Sequence, residues 1–150
     1  MQDVETGRFT VGVFQDTSWA ERGIDALKSA GFAVESLTIL AKESPGISSL
    51  VEHALGGEGQ RIELPGLGAI VVRGPLLAAL ESPELRKMGL GAAMHRAGFQ
   101  QHDGRIFETL TARGGVLVAI RSEPAAADAL ALLHSYGGGN AAIGAWSGRV

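Results

Sequence analysis

His102, Asp103, Arg105 and Glu108 fall close together in the stretch "QHDGRIFETL" and are the residues with which an enzyme could assemble a polar cluster on one helix. Arg105 and Glu108 stand three apart, so they share a helix face, and a plain surface ion pair accounts for them equally well. His95 precedes His102 by seven residues, and two imidazoles beside the Asp103 carboxylate are a metal-ligand set in composition. The spacing argues otherwise. There is no His-x-x-x-His or His-Glu-x-x-His, and Gly98 interrupts the segment between the two histidines. His53 and His134 sit on polar helix faces, where solvation explains them. The sequence predicts neither a metal site nor a cofactor.

Other chemistries find less support. Nucleophilic catalysis needs a hydroxyl, a base and an orienting group within reach. Ser18, Ser44, Ser82 and Ser122 stand where helices begin, and capping accounts for them; no Gly-x-Ser-x-Gly occurs. "GLGAIV" (66–71) and "GLGAAM" (89–94) open as Gly-x-Gly but do not complete a dinucleotide-binding fingerprint, and the first leads into a strand. "YGGGN" (136–140) ends a helix, where left-handed glycines are structural. "ELRKM" (84–88), Arg96, Arg105, Arg113 and Arg121 offer basic charge. No Lys/Arg-Gly-Phe-x-Phe signature accompanies them, so no nucleic acid partner is expected.

Composition narrows the field further. The 150 residues fit one domain, 1–150. A net charge of −3 gathers neither nucleic acid nor anionic lipid. Cysteine is absent, which excludes disulfides, thiolate catalysis and Cys-ligated metals, and fits a cytoplasmic location. The polar opening "MQDVETGRFT" predicts no signal peptide. "LPGLGAIVVRGPLLAAL" (64–80) is too short and too broken by Arg73 and two prolines to span a bilayer.

The elements that must position these residues come in a repeated phrase. "RFTVGVFQ" (8–15) reads as a strand. Ser18 and Glu21 then form a capping box, Ala20, Ile24 and Leu27 make an apolar helix stripe, and Gly31 stops it. "ESLTILAKE" (35–43) is a second strand. "GGVLVAIRS" (114–122), a helix opened by Pro124 with the stripe Ala126, Leu130, Leu133 and Gly137, and "AAIGAWS" (141–147) repeat the pattern at an offset of 106. Two βαβ units, 9–43 and 114–147, predict an α+β, ferredoxin-like fold: a duplicated βαβ with an antiparallel sheet and helices on one face. A central insert, 44–113, is expected to supply a helix at 44–55, a strand at 67–74, short helices over "PLLAALES" and "SPELRKMGLGAAMHRAG", and a helix at 103–113 capped by Asp103 with Ile106, Phe107 and Leu110 on one side.

Val11, Val13 and Phe14, Leu37, Ile39 and Leu40, Val116, Leu117, Val118 and Ile120, and Ile143 and Trp146 make all four strands apolar at nearly every position. Such strands predict a sheet covered on both faces, by the insert or by a second subunit.

"VGVFQDTSWAERGIDALKSAGF", "GLGAIVVRGPLLAAL" and "DGRIFETLTARGGVLVAIRS", in that order, resemble the bacterial general stress protein domain family, of the heat-induced, YflT-like type. The likeness lies in Ala30, Gly31 and Phe32 closing the first strand–helix phrase, in the small-residue middle segment, and in Arg105, Phe107, Glu108, Arg113, Gly114 and Gly115 leading into a Val-rich strand. Ile106 stands where the family pattern has its first aromatic, and the middle segment lacks a long glycine-zipper run. The resemblance implies a role in stress response and no catalytic residues. The expectation is a non-enzymatic domain acting through self-association or another protein–protein contact, as a homo-oligomer. The alternative is a small-molecule-sensing module of the same fold plan, with the Gly-rich middle segment approaching an unidentified ligand.

Overall fold

The computed structural model of the protein describes residues 9–80, 83–96, 99, 101–121, 126–135 and 142–144. Its strands are β1 (Phe9–Phe14), β2 (Leu37–Lys42), β3 (Gln60–Leu64), β4 (Gly68–Arg73), β5 (Val116–Arg121) and β6 (Ala142–Gly144). Its helices are α1 (Thr17–Ser29), α2 (Pro45–Leu55), α3 (Pro83–Met88), α4 (Leu90–Arg96), α5 (Gln101–Ala112) and α6 (Ala126–Ser135), with 3-10 turns at Val34–Ser36 and Pro75–Leu80.

The six strands form one sheet in the order β3-β4-β2-β5-β1-β6, and every pairing is antiparallel. The inner order β2-β5-β1-β6 is the ferredoxin-like plan of an α+β protein. The β3–β4 hairpin from the insert extends this sheet past β2. β3 was not expected, because "QRIEL" carries only two apolar residues.

Both faces of the sheet are covered, as the apolar strands predict, and on the second face the insert does the covering. On the first face Phe14, Leu37, Ile39, Ala41, Val116, Val118 and Ile120 pack with Ile24 and Leu27 of α1, Leu50 and Val51 of α2, and Leu133 of α6. On the second face Val11, Val13, Leu40, Ile62, Val72, Leu117 and Ala119 pack with Leu90, Ala93 and Met94 of α4 and Phe107 of α5. Burying a large aliphatic side chain contributes roughly 1.5–3 kcal/mol, so each layer carries much of the stability. The helices of the duplicated βαβ, α1 and α6, thus share one face, joined there by α2, while α4 and α5 of the insert close the second.

Local signals set the helix ends, with two corrections. α1 is capped by Asp16, whose side chain accepts from Trp19 N at 2.9 Å, and not by Ser18, which lies inside the first turn. α5 begins at Gln101, so Asp103 belongs to its first turn instead of capping it. Ser44 does cap α2, accepting from Ile47 N at 3.1 Å with Pro45 following it.

Two glycine stops close by the same double hydrogen bond. After α1, Phe32 N donates to Leu27 O at 3.1 Å and Gly31 N to Lys28 O at 3.0 Å. After α5, Gly115 N donates to Leu110 O at 2.9 Å and Gly114 N to Thr111 O at 3.0 Å. Gly31 (φ 100°) and Gly114 (φ 99°) take the left-handed conformation these stops require. Ala30–Gly31–Phe32 and Arg113–Gly114–Gly115 are therefore helix terminators.

Of the second apolar stripe, Leu133 is fully buried. Pro124, Gly137, Ser82, Ser122, Gly98, Trp146 and 136–140 lie outside the described residues, as do the side chains of Ala126, Leu130 and His134.

Candidate functional site

α4 and α5 form the platform on which most of the sequence-predicted polar residues stand. They cross at two glycines. A Cβ on Gly104 would lie 2.7 Å from the Gly91 carbonyl oxygen, so the helices meet backbone to backbone. The chain turns into α4 through Gly89, whose φ of 100° belongs to the left-handed region. Phe99 and Phe107 meet edge to face beneath the crossing, with ring centroids 5.5 Å apart.

An open groove of about 410 Å³ runs along this crossing, bordered by Ala92, His95, Arg96, Gln101, Arg105 and Glu108. The Glu108 carboxylate rests on the Gly89–Gly91 turn. Its Oε2 lies 2.8 Å from where a Gly89 Cβ would stand, and its Oε1 3.2 Å from that of Gly91. Side chains on either glycine would displace it. His95 Nδ1 lies 3.0 Å from Phe99 O. A carbonyl only accepts, so Nδ1 carries the hydrogen and Nε2 of the neutral ring is left as an acceptor. The groove therefore combines two guanidinium groups, a carboxylate, a side-chain amide and an imidazole, a set that can hold a small polar molecule by charge and hydrogen bonds.

The predicted cluster is divided by its own helix. Arg105 borders the α4–α5 groove together with Glu108. It also borders the outer side of α5, where His102, Ile106, Leu110 and Arg113 lie. Asp103 borders neither groove and is half-buried in the first turn. Among the described residues, Arg105 and Glu108 make no ion pair with each other or with any other side chain, contrary to the simple surface-pair reading. His95 and His102 line different sides of the pair of helices. Among the described residues, no three His, Asp or Glu side chains gather as metal ligands. His53 is exposed in the last turn of α2.

The remaining sequence features serve structure. Pro65 and Gly66 (φ 78°) make the β3–β4 turn, where Leu67 N donates to Leu64 O at 3.1 Å. Thr38 Oγ1 accepts from Leu76 N at 3.0 Å and fastens the Pro75–Leu80 turn to β2. A larger groove of about 670 Å³ lies between the Val34–Ser36 turn and the end of β4. Its cation, Arg73, is committed to structure, donating to Glu58 O at 2.9 Å across Gly57.

Sequence reasoning missed Gln101 and the Gly91–Gly104 contact. The only signal for them was a pair of glycines in two neighbouring helical segments. It also missed β3, which forms one border of the sheet and has no strand on its outer side among the described residues. Arg61 and Glu63 of that strand are exposed, while Ile62 and Leu64 are buried.

Among the described residues, no helix is long and apolar enough to cross a membrane. No family model, curated protein or solved structure matches the chain at a significant level.

Proposed function

We propose that this chain is a non-enzymatic association domain that pairs with a second copy of itself, working in the cytoplasm in the bacterial stress setting its resemblance implies. One observation carries the reading: the sheet is closed on both faces by the chain's own helices, yet among the described residues no strand pairs with the outer side of β3. Association through an apolar sheet face is thereby removed as a route. An unpaired strand edge, with its free N–H and C=O groups, is the standard alternative. Native mass spectrometry and light scattering across a range of concentrations test the reading. A dimer is expected. A strictly monomeric species at several hundred micromolar would end it.

A second reading, a small-molecule-sensing module, is favoured by the α4–α5 groove, whose size lies in the range of small-molecule sites, roughly 300–1,000 Å³. Its two arginines and one glutamate suit a molecule bearing a carboxylate. A thermal-shift panel of carboxylates and zwitterions tests this reading. A stabilising hit that Arg105→Ala abolishes supports it, and a flat response throughout sinks it.

A further inference from the structure

The self-association reading leaves the pairing surface unspecified, and the outer edge of β3 specifies it. Leu64 O accepts from Leu67 N within the hairpin turn, so the backbone of Leu64 faces inward, toward β4. Backbone groups alternate sides along an antiparallel strand. The N–H and C=O of Glu63 and Arg61 consequently face out, away from the sheet. Side chains alternate between the sheet faces in the same way. Ile62 and Leu64, 6% and 3% exposed, join the core on the sheet face that α4 and α5 close, with α3 the helix that comes against β3, and Arg61 and Glu63 share the opposite, exposed face.

We propose that two copies of this chain pair β3 against β3, antiparallel, across a two-fold axis at Ile62, so that the two sheets become one. In this register Arg61 stands opposite Glu63 of the second copy, and Glu63 opposite Arg61. All the outward backbone groups of these two residues find partners. Ile62 meets its own copy on the other face.

The charges select this register. Sliding the strands by two residues in one direction sets Arg61 against Arg61, and in the other direction Glu63 against Glu63; like charges directly opposite are destabilising. A one-residue slip turns the side chains to the wrong faces. Charges on an edge strand ordinarily discourage pairing, but here their alternation in sign is self-complementary. Within one copy Arg61 is held by Glu43 at 3.0 Å with its side chain still 62% exposed, leaving donors free. Among the described residues Glu63 has no ion-pair or hydrogen-bond partner for its side chain, and the second copy provides one.

This inference rests on the self-association reading, and one experiment separates the two. Light scattering is run on the wild type, Arg61→Glu, Glu63→Arg and the double reversal R61E/E63R. Each single reversal is expected to weaken the dimer by about ten-fold or more, and the double reversal to restore it to near the wild-type constant. A dimer indifferent to both single reversals overturns the β3 register while leaving self-association standing. A monomeric wild type overturns both.

Circular dichroism checks that each variant is folded, and Glu63→Arg leaves the Glu43–Arg61 pair intact. A second measurement covers failure of a reversal to fold. The chain has no cysteine, so Arg61→Cys and Glu63→Cys proteins mixed under mild oxidant should give the mixed disulfide dimer in several-fold excess over either homodimer. The 1:2:1 spread of random pairing, or an excess of either homodimer, would refute the register.

Discussion

Gly104 of α5 rests on the backbone of Gly91 in α4, with a methyl group in its place standing 2.7 Å from the Gly91 carbonyl oxygen. The reverse contact is looser: a methyl on Gly91 would stand 3.4 Å from Gly104 O. Gly104→Ala should therefore destabilise the protein by about 1–3 kcal/mol by overpacking, despite alanine's better helix propensity. Gly91→Ala should cost less than Gly104→Ala. Urea unfolding of the two variants checks the order, and equal costs would contradict it.

The cap of α1 gives a sharper comparison. Asp16 accepts from Trp19 N, whereas Ser18 lies within the helix. Asp16→Ala should lose about 1 kcal/mol of stability, within the usual range of about 0.5–2 for an N-cap. Ser18→Ala should be neutral or slightly stabilising, because alanine is the better helix former. Thermal melts of the two single variants decide it. A larger loss at Ser18 would restore the capping box that the sequence suggests.

Thr111 Oγ1 is fully buried on α5, with no hydrogen-bond partner among the described residues. A buried hydroxyl without a partner keeps its desolvation cost. Thr111→Val retains the branched shape and removes that cost, and it should stabilise the protein by about 1 kcal/mol. The expected result is a higher urea midpoint at an unchanged slope. A drop in the midpoint would mean that the hydroxyl is satisfied in solution.

On the first face of the sheet, a Cβ on Gly23 would come within 2.5 Å of the Phe14 ring, which is itself fully buried. Gly23→Ala should be destabilising alone and markedly less so beside Phe14→Leu. The two changes should then couple by more than about 0.5 kcal/mol in a double-mutant cycle. Simple additivity would show that α1 shifts to make room.

Much of this architecture was legible in the residues. The strand at 116–121, the buried stripe of Ala20, Ile24 and Leu27, the Ser44 cap and the glycine stop at Gly31 follow from period and capping chemistry acting locally. The cap of α1 was misplaced because Asp16 and Ser18 are both good cap residues, and only the backbone geometry chooses between them. β3 escaped notice because its exposed half is charged and its buried half is just Ile62 and Leu64. The polar cluster could be placed on a helix but not divided, since the line along which α4 meets α5 depends on Gly91 and Gly104 coming together from separate segments. Which partner covers the second sheet face was likewise illegible. Apolar strands demand a cover without naming it.

The position of β5 between β1 and β2 sets the order in which this protein can be built. β1 and β2 leave the ribosome before β5, and they are joined as parts of one sheet only when β5 slots between them. β1 pairs with β5 across about a hundred residues of intervening chain, a separation that slows folding. During synthesis the early strands wait with two apolar borders uncovered, an interval of the kind that invites chaperone capture. The β3–β4 hairpin closes over a short turn and does not have to wait. Nascent-chain lengths ending before Val116 should thus hold the β3-β4-β2 half of the sheet without β1, and resistance to protease should rise sharply once β5 is free to enter.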